Sequence, residues 1–394
     1  MHVPHRQRPP HGRRGARPSR VRPDAPLRER LSPHPFIGRH AREPVEGLFA
    51  AEELGLAARN AGLPLEALRY DVTPLGLHYT LSHFDIPAVD AQRFRLRISG
   101  AVGETLALSL DEVKALGPAR TERVTLECAG NGRAGMSPRY PSMPWIFGGV
   151  GTAEWTGVPL HRLLDRVGSK PSAKEVAFIG ADRGFDSGVE HPFGRSLALP
   201  EAQREDVLLA WAMNGQPLAP QHGAPLRLVV PGWFGMASVK WLSAIEVREQ
   251  PYDGYQQVVG YHYRQRAGER GTPITHAKVK SLMAPPGMPD WYTGRRLVER
   301  GRVRVCGRAW SGGGEAVVRV EFAVDGQWRD AQLDAASHPH AWQRWECAWD
   351  AEPGEHELAC RATDASGATQ PATCEWNRAG MGNNAFHTVQ VTVR

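Results

Sequence analysis

The hydrophobic pattern of this 394-residue chain changes near residue 267, and this change limits the possible folds more than any other feature. On the amino-terminal side, apolar residues recur at strand spacing in some stretches and at helix spacing in others. The strand patterns lie at residues 93–99, 175–180 and 226–230, and the helix patterns at 46–60, 108–116 and 160–168. Short strands mixed with short helices predict an α+β domain, which we place at residues 46–266.

The carboxyl-terminal side contains short alternating segments with turn residues such as Gly, Pro and Asp between them. These predicted strands lie at residues 301–310, 316–324, 342–349, 355–363 and 388–393. Even spacing without helices predicts a β-sandwich of the immunoglobulin-like type at residues 267–394. A stretch rich in Pro and Gly, residues 267–295, is interpreted as a linker leading into the sandwich.

The composition, with 41% hydrophobic and 23% charged residues, is that of a soluble globular protein. No apolar run approaches the roughly 20 residues that span a bilayer, so we expect no membrane association. The net charge of +6 comes from the amino-terminal tail, because residues 1–42 carry eleven Arg against two acidic residues. We predict that residues 1–45 are disordered, since they contain too few apolar residues to offset the entropy of ordering.

The tail and the cysteines also bear on location and partners. Arg13 and Arg14 invite comparison with a twin-arginine export signal, but the apolar segment that such a signal requires does not follow them. The arginines could neutralise phosphates, yet no aromatic residue is interleaved among them for base stacking, so no nucleic-acid partner is expected. Five cysteines without CxxC pairs or zinc-site spacing favour a reducing compartment, and the expected location is the cytoplasm.

The most distinctive motif is a cysteine that follows a β-favouring stretch and precedes small residues and an arginine. It runs Glu127-Cys-Ala-Gly-Asn-Gly-Arg133. Its glycines permit the backbone conformations that bring a chain close to a bulky ligand. Arg133 offers a fixed positive fork for an oxyanion. Such a thiol is available as a metal ligand or a nucleophile, although a buried core thiol is the ordinary alternative.

The cysteine motif resembles the molybdenum-ligating segment of the sulfite oxidase family. Four further stretches, in the same order along the chain, are similar to that family: residues 206–215, 222–232, 238–241 and 376–384. The resemblance covers about residues 70–394. It implies a molybdenum–molybdopterin cofactor and two-electron oxygen-atom transfer on a small anionic substrate such as sulfite. It also implies a homodimer formed through the carboxyl-terminal domain. No haem-binding segment is found, so the electrons should leave to a separate acceptor such as a cytochrome or another redox protein.

The resemblance also implies roles for individual residues. Cys128 matches the metal ligand. The positions that match cofactor-binding residues are Tyr79, His83, Asp182, His222, Arg227, Ser238, Val239 and Lys240. On the substrate side, Arg133, Tyr261 and Arg378 match catalytic positions, with Tyr263 as a rival to Tyr261. Leu81 and Gly132 stand where sulfite-oxidising members carry arginine, which makes a larger or less charged substrate an alternative.

Other functions remain open at the level of sequence. The same fold could act as a sulfoxide-type reductase, because the residues do not set the direction of the reaction. A metal-free enzyme could use Cys128 as nucleophile with His83 or His222 as base. A non-catalytic scaffold or adhesion protein could be built around the β-sandwich. The resemblance favours the molybdenum enzyme.

Overall fold

Two larger β-sheets, a two-stranded antiparallel sheet and four short α-helices form the amino-terminal part of the computed structural model, which describes residues 43–394. Most of the tail that we predict to be disordered lies outside the described residues. At its end, Val45 exchanges backbone hydrogen bonds of 2.8 and 2.9 Å with Arg139. Within the described residues, no helix combines the length and the apolar character needed to cross a membrane.

The three predicted helices are confirmed, with a fourth in addition. Their bounds are α1 Ala51–Arg59, α2 Leu110–Lys114, α3 Leu160–Val167 and α4 Leu199–Ala202. Ser109 caps α2, since its hydroxyl accepts from the Glu112 N–H at 3.3 Å. Gly168 ends α3 with φ of 64°, a left-handed conformation that suits glycine. Helix α3 buries one face, because its apolar residues recur every three or four positions.

Twelve strands lie in this amino-terminal part of the described chain. They are β1 Leu96–Gly100, β2 Leu106–Leu108, β3 Arg120–Glu127, β4 Val150–Pro159, β5 Glu175–Asp186, β6 Val189–Ala198, β7 Leu208–Met213, β8 Gln216–Pro217, β9 Arg227–Val229, β10 Leu242–Arg248, β11 His262–Tyr263 and β12 Thr272–Pro273. One sheet has the order β2-β1-β10-β5-β6, and a second has the order β3-β4-β7-β8 with β9 paired to β7. Strand β1 runs parallel to β10, and the other pairs are antiparallel. This mixture confirms the α+β class.

The carboxyl-terminal part is a β-sandwich, as predicted. Its strands are β13 Lys280–Ala284, β14 Met288–Pro289, β15 Arg296–Val298, β16 Gly301–Trp310, β17 Val317–Val324, β18 Gln327–Asp330, β19 Gln332–Leu333, β20 Gln343–Ala351, β21 Gly354–Asp364 and β22 His387–Val393. One sheet has the order β13-β16-β20-β19, and the other has the order β14-β15-β22-β21-β17-β18. Alternate residues of both sheets fill the core between them, with Phe322 and Trp345 fully buried.

The interpretation of residues 267–295 as a linker is wrong for Lys280–Ala284. These residues form β13, which pairs along its length with β16. Its first four side chains are all buried, so both faces of the strand are covered and no alternation is visible in the sequence. The nearby Pro and Gly residues gave a turn signal that hid this strand.

Candidate active site

Cys128 is buried and directly follows the last residue of β3, and hydrogen bonds fix the loop that it begins. The Cys128 N–H donates to the Gly149 carbonyl at 2.8 Å, and the Cys128 carbonyl accepts from Asn131 at 2.9 Å. The Asn131 side chain in turn accepts from the Gly149 N–H at 3.0 Å. The cysteine is 8% exposed. Its side chain is therefore held in one place while it remains reachable.

A buried ion pair anchors the same loop to the β-sandwich. Glu127, the last residue of β3, lies 2.9 Å from Lys280 Nζ on β13, and both side chains are 3% exposed. The Glu127 carboxylate also accepts from Asn131 Nδ2 at 3.0 Å and from Trp310 Nε1 at 3.0 Å. Because every contact is charge-assisted and shielded from water, the position of the cysteine loop depends on both parts of the chain.

Two cavities meet at Cys128. We call the first the Asp182 cavity; it has a volume of about 690 Å³, and Asp182 lies in its wall. We call the second the Arg133 cavity; it has a volume of about 1100 Å³, and Arg133 lies in its wall. The residues that line both are Leu81, His83, Cys128 and Tyr261. One thiol is thus accessible from two separate binding spaces.

The Asp182 cavity contains buried polar atoms that no protein group satisfies. Within the described residues, Asp182 Oδ1, His222 Nε2 and His78 Nε2 have no hydrogen-bond partner. Burial raises the pKa of Asp182 to about 6, although Lys240 opposes the shift. Burial lowers the pKa of His78 to about 4 and that of His222 to about 3, so both imidazoles are neutral at pH 7. Buried polar atoms are normally paired, and this cluster therefore indicates a polar ligand.

Two cations in the wall of the same cavity hold the backbone around it. The Arg227 guanidinium donates to the carbonyls of His222 and Ser238, each at 3.0 Å, and it lies 4.5 Å from the Trp155 ring. Lys240 Nζ donates to the carbonyls of Leu81 at 2.8 Å and Gln221 at 2.9 Å. Burial lowers the pKa of Arg227 to about 10 and that of Lys240 to about 7. Neither forms a salt bridge within the described residues, so both favour an anion nearby.

The other predicted residues of this cavity differ in placement. Tyr79 and His83 line it, and Tyr79 stacks on His78. Ser238 lines it as well, but its N–H donates to Gly235 and its hydroxyl accepts from Val230. Val239 is fully buried in the core, does not line the cavity and donates its N–H to Ala237. The N–H groups of residues 238 and 239 are thus already used within the protein.

Arg133 and Tyr261 lie together in the second cavity. Arg133 is 5% exposed and donates to the carbonyls of Ala379 at 3.1 Å and Met143 at 3.0 Å. A Cβ at position 130 would lie 2.7 Å from its guanidinium, so glycine there makes room for the arginine. Tyr261 Oη lies 2.8 Å from His83 Nε2, and burial raises the pKa of the phenol. Tyr263, the rival, is not among the described residues that line either cavity.

His83 connects the two cavities. Its ring packs at a tilt against Phe193 and edge-on against Tyr261, and the residue lines both cavities. The residue is exposed, and it borders both cavities. Desolvation lowers its pKa to about 3, and the charges of Lys240 and Arg133 act in the same direction. His83 is therefore a neutral hydrogen-bonding partner of Tyr261 at physiological pH.

The structure does not bring Arg378 to either cavity. Its guanidinium pairs with Glu43 at 2.7 Å, and its N–H donates to the Arg264 carbonyl at 2.7 Å. The neighbouring residue contributes instead, since the Ala379 carbonyl accepts from Arg133. The chain turn at residues 377–380 explains the difference, because it directs a carbonyl rather than the arginine toward the site.

Sequence reasoning missed three residues around these cavities: His78, Trp145 and Arg195. His78 precedes a predicted position and has an ordinary sequence context. Trp145 lines the Arg133 cavity and packs with Cys128, where burial raises the pKa of the thiol and the charge of Arg133 opposes this shift. Arg195 lies behind Tyr261, with its guanidinium carbon 5.1 Å from the ring centroid. Only the three-dimensional fold brings them to the site.

Comparisons with known proteins identify the family of the chain. Residues 83–256 match the oxidoreductase molybdopterin binding domain family, and residues 273–394 match the Mo-co oxidoreductase dimerisation domain family. Sulfite oxidase of Gallus gallus is 35% identical over 384 residues, covering 90% of this chain and 79% of the relative. Mitochondrial sulfite oxidase of Homo sapiens is also 35% identical, but this chain covers 64% of its length.

Among solved structures, the sulfane dehydrogenase SoxCD from Paracoccus pantotrophus is similar, with a TM-score of 0.72 and 26% identity over 92% of each chain. The similarity thus extends over both parts of the chain rather than over the sandwich alone. The matches to both domain families, and the identity to the avian enzyme over most of its length, show that the chain belongs to the sulfite oxidase family of molybdopterin-binding oxidoreductases.

Proposed function

We propose that this protein uses a molybdenum cofactor to oxidise a small sulfur oxyanion such as sulfite by two-electron oxygen-atom transfer. The observation that carries the proposal is the position of Cys128 at the junction of the two cavities. A thiol placed there can serve a cofactor that occupies the Asp182 cavity and a substrate that enters the Arg133 cavity.

The Asp182 cavity fits the pterin part of such a cofactor. Its orphaned atoms include two acceptors, the Asp182 carboxylate and His78 Nε2, whose ring uses Nδ1 on the Tyr79 carbonyl at 3.1 Å. Acceptors of this kind suit the N–H groups of an amino-pyrimidine ring. Among residues 43–394, no carboxylate forms a salt bridge with Arg227 or Lys240, and their positive charge suits the phosphate. Donors, acceptors and charge therefore all match the group.

Cys128 would hold the metal, since a thiolate is a soft ligand suited to a redox-active metal. Among the described residues, no group of three or more His, Cys, Asp and Glu side chains forms a competing metal site. When bound, the cofactor supplies the two-electron redox change that accompanies oxygen transfer.

The protein itself binds and orients the substrate. Arg133 places a positive charge in the cavity wall. With the proton of neutral His83 on Nε2, that N–H donates to Tyr261 Oη, and the phenol O–H is then free to donate to an oxyanion. Phe84, Met143 and Trp145 form apolar parts of the wall, which limit water around the reacting groups. The arrangement is suited to a small anion presented to the cysteine-held centre.

We also infer the partners. The sandwich matches a dimerisation domain, which supports a homodimer. The electrons would pass to a separate cytochrome or another redox protein. The five cysteines, all free thiols in the structure, are consistent with a reducing compartment such as the cytoplasm.

The test is the molybdenum and pterin content of purified protein from a host that makes the cofactor, with dye reduction by sulfite measured on the same samples. We expect near-stoichiometric metal and sulfite turnover in the wild type, and loss of both metal and turnover in Cys128→Ser. Cys360→Ser is the matched control, because Cys360 is an equally buried thiol in the sandwich.

The control should keep the metal and the activity. Absence of molybdenum from the wild type, or full metal content and turnover in Cys128→Ser, would refute the proposal. Metal without turnover of sulfite would retain the cofactor assignment and reject sulfite as the substrate.

A further inference from the structure

Arg195 on β6 is buried, and no carboxylate in the described part of the chain contacts it. It is 3% exposed, and within the described residues it forms no salt bridge. Its Nη1 donates to the Gln256 carbonyl at 2.5 Å, and its Nε has no hydrogen-bond partner. The negative charge of Glu175 favours the charged form of Arg195 without contact between the two. The Glu175 carboxylate accepts hydrogen bonds from Ser196 Oγ and Tyr252 N instead. A buried charge without a paired partner is costly, so its retention needs a reason.

The geometry shows what Arg195 supports. Its guanidinium carbon lies 5.1 Å from the centroid of the Tyr261 ring, in the arrangement of a cation over an aromatic face. Gln256, whose carbonyl accepts from Arg195, begins the π-helical turn Gln256–Gly260 that leads directly into Tyr261. Arg195 thus holds the tyrosine both through its ring and through the turn before it.

The turn is tightly packed at both ends. The Gln256 side chain lies 3.2 Å from His191 Nε2, and a Cβ at Gly260 would approach Gln256 Oε1 to 2.5 Å. Tyr261 Oη is fixed by His83 at 2.8 Å. Three contacts thus fix Tyr261: one at its hydroxyl, one at its ring and one at the turn before it. Arg195 provides the last two, so its removal should loosen the tyrosine.

Arg195 also changes the charge of the site. Arg133 is the only cationic side chain among the described residues that line the Arg133 cavity, since His83 is neutral. Arg195 adds a positive charge directly behind Tyr261, in a region where little water screens it. A cation under the ring makes the phenol a stronger hydrogen-bond donor toward an anion, because it favours negative charge on the phenol oxygen.

We propose that Arg195 is a positioning residue that acts through Tyr261, and that it sets the preference of the substrate cavity for oxyanions. This inference rests on the proposed function, because it concerns the same cavity. Tyr261 contacts the substrate; Arg195 holds the phenol and strengthens its hydrogen bond without touching the substrate itself.

The experiment compares holoenzyme carrying Arg195→Met, Arg195→Lys, Tyr261→Phe and the Arg195→Met/Tyr261→Phe double variant. Molybdenum content, kcat and KM for sulfite, and the dissociation constant of sulfate by calorimetry are measured for each. For Arg195→Met we expect unchanged metal and roughly tenfold weaker sulfate binding. Arg195→Lys should restore part of the affinity, since it keeps the charge.

The coupling is the decisive readout. In the Tyr261→Phe background, Arg195→Met should change sulfate affinity less than about twofold, because the group through which it acts has been removed. Equal effects of Arg195→Met with and without Tyr261, or unchanged sulfate affinity in Arg195→Met, would overturn the inference. So would a wild-type holoenzyme that binds no sulfate.

Thermal stability distinguishes this positioning role of Arg195 from a role in packing alone. Arg195→Met removes an unpaired buried charge, so its thermal midpoint should equal or exceed that of the wild type while anion affinity falls. Arg308→Met is the matched control, since Arg308 is 2% exposed but pairs with Asp71 at 2.8 Å. The control should lose stability and keep sulfate affinity. Failure to oxidise sulfite would refute the proposed substrate alone, because the sulfate titration still decides the role of Arg195.

Discussion

Replacing Lys280 by Met should reduce the free energy of unfolding by about 3–5 kcal/mol, because it leaves the Glu127 carboxylate buried without its counter-charge. Lys280 Nζ lies 2.9 Å from Glu127 Oε1, and both side chains are 3% exposed. The same ammonium donates to the Asn383 carbonyl at 2.7 Å. Methionine keeps most of the side-chain volume, so the expected loss comes from charge and hydrogen bonding rather than from a cavity.

The change should also reach the cysteine loop. Glu127 Oε1 accepts from both Lys280 and Asn131, and Asn131 holds Gly149 beside Cys128. Without the cation, the Glu127 carboxylate should either bind water or become protonated. Either change would disturb its hydrogen bond from the Asn131 side chain. We therefore expect lower molybdenum content in Lys280→Met than in the wild type, in addition to the loss of stability.

The measurement is the urea midpoint of the holoprotein, with calorimetry as a second probe. Arg123→Met is the control on the same strand: its ion pair with Glu154 is 2.7 Å long, but the side chains are 21% and 37% exposed. An exposed pair is worth at most about 1 kcal/mol. Glu127→Gln combined with Lys280→Met should recover part of the loss, because it removes the unpaired charge. A Lys280→Met effect no larger than the control would refute the reasoning.

Two further predictions concern the Asp182 cavity. Gly235→Ala should lower pterin content, because the new Cβ would lie 2.5 Å from Tyr79 Oη, whereas Gly76→Ala, with no atom within 4 Å, should not; equal pterin content in the two variants would contradict this. In cofactor-free protein, burial lowers the folded-state pKa of Lys240 from 10.5 to about 7. The unfolded chain then binds more protons between these values, so the urea midpoint should rise with pH across this window and rise less in Lys240→Met; equal slopes for the two proteins would count against a depressed pKa.

The sandwich was predictable because its strands alternate. In the first half of β16, Gly301–Trp310, Val303 and Val305 are more buried than the exposed Arg302 and Arg304, and this period of two is visible in the sequence. Strand β13 was not predictable, since its buried faces leave no period and the following prolines dominate the signal. The ion pair between Glu127 and Lys280 joins residues 153 positions apart. The sequence around either residue gives no indication of its partner, so the pair could not be predicted.

The residues of the site also divide into those that the sequence predicts and those that it does not. Cys128 and Arg133 belong to one short motif, so sequence alone brings them together. His78 reaches the Asp182 cavity from a loop, and Arg195 reaches Tyr261 from β6 without lining either cavity. Neither residue has a distinctive sequence context. Arg378 shows the opposite case, in which the sequence matches a motif but the side chain does not reach the site. The chain turn directs its guanidinium to Glu43 instead.

The two positions that lack the expected arginine are not equivalent in the structure. Gly132 has φ of 93°, and a Cβ there would lie 3.0 Å from Asn383, so a side chain at this position would meet the sandwich rather than the substrate cavity. Leu81 does line both cavities, and its apolar side chain therefore removes a charge at the junction itself. Arg195 lines neither cavity, but its guanidinium carbon lies 5.1 Å from the centroid of the Tyr261 ring, so we propose that it returns a positive charge to that wall. On this proposal, we expect anion binding to depend less on direct contact with a second arginine and more on the hydroxyl of Tyr261. The coupling between Arg195 and Tyr261 is therefore the informative quantity.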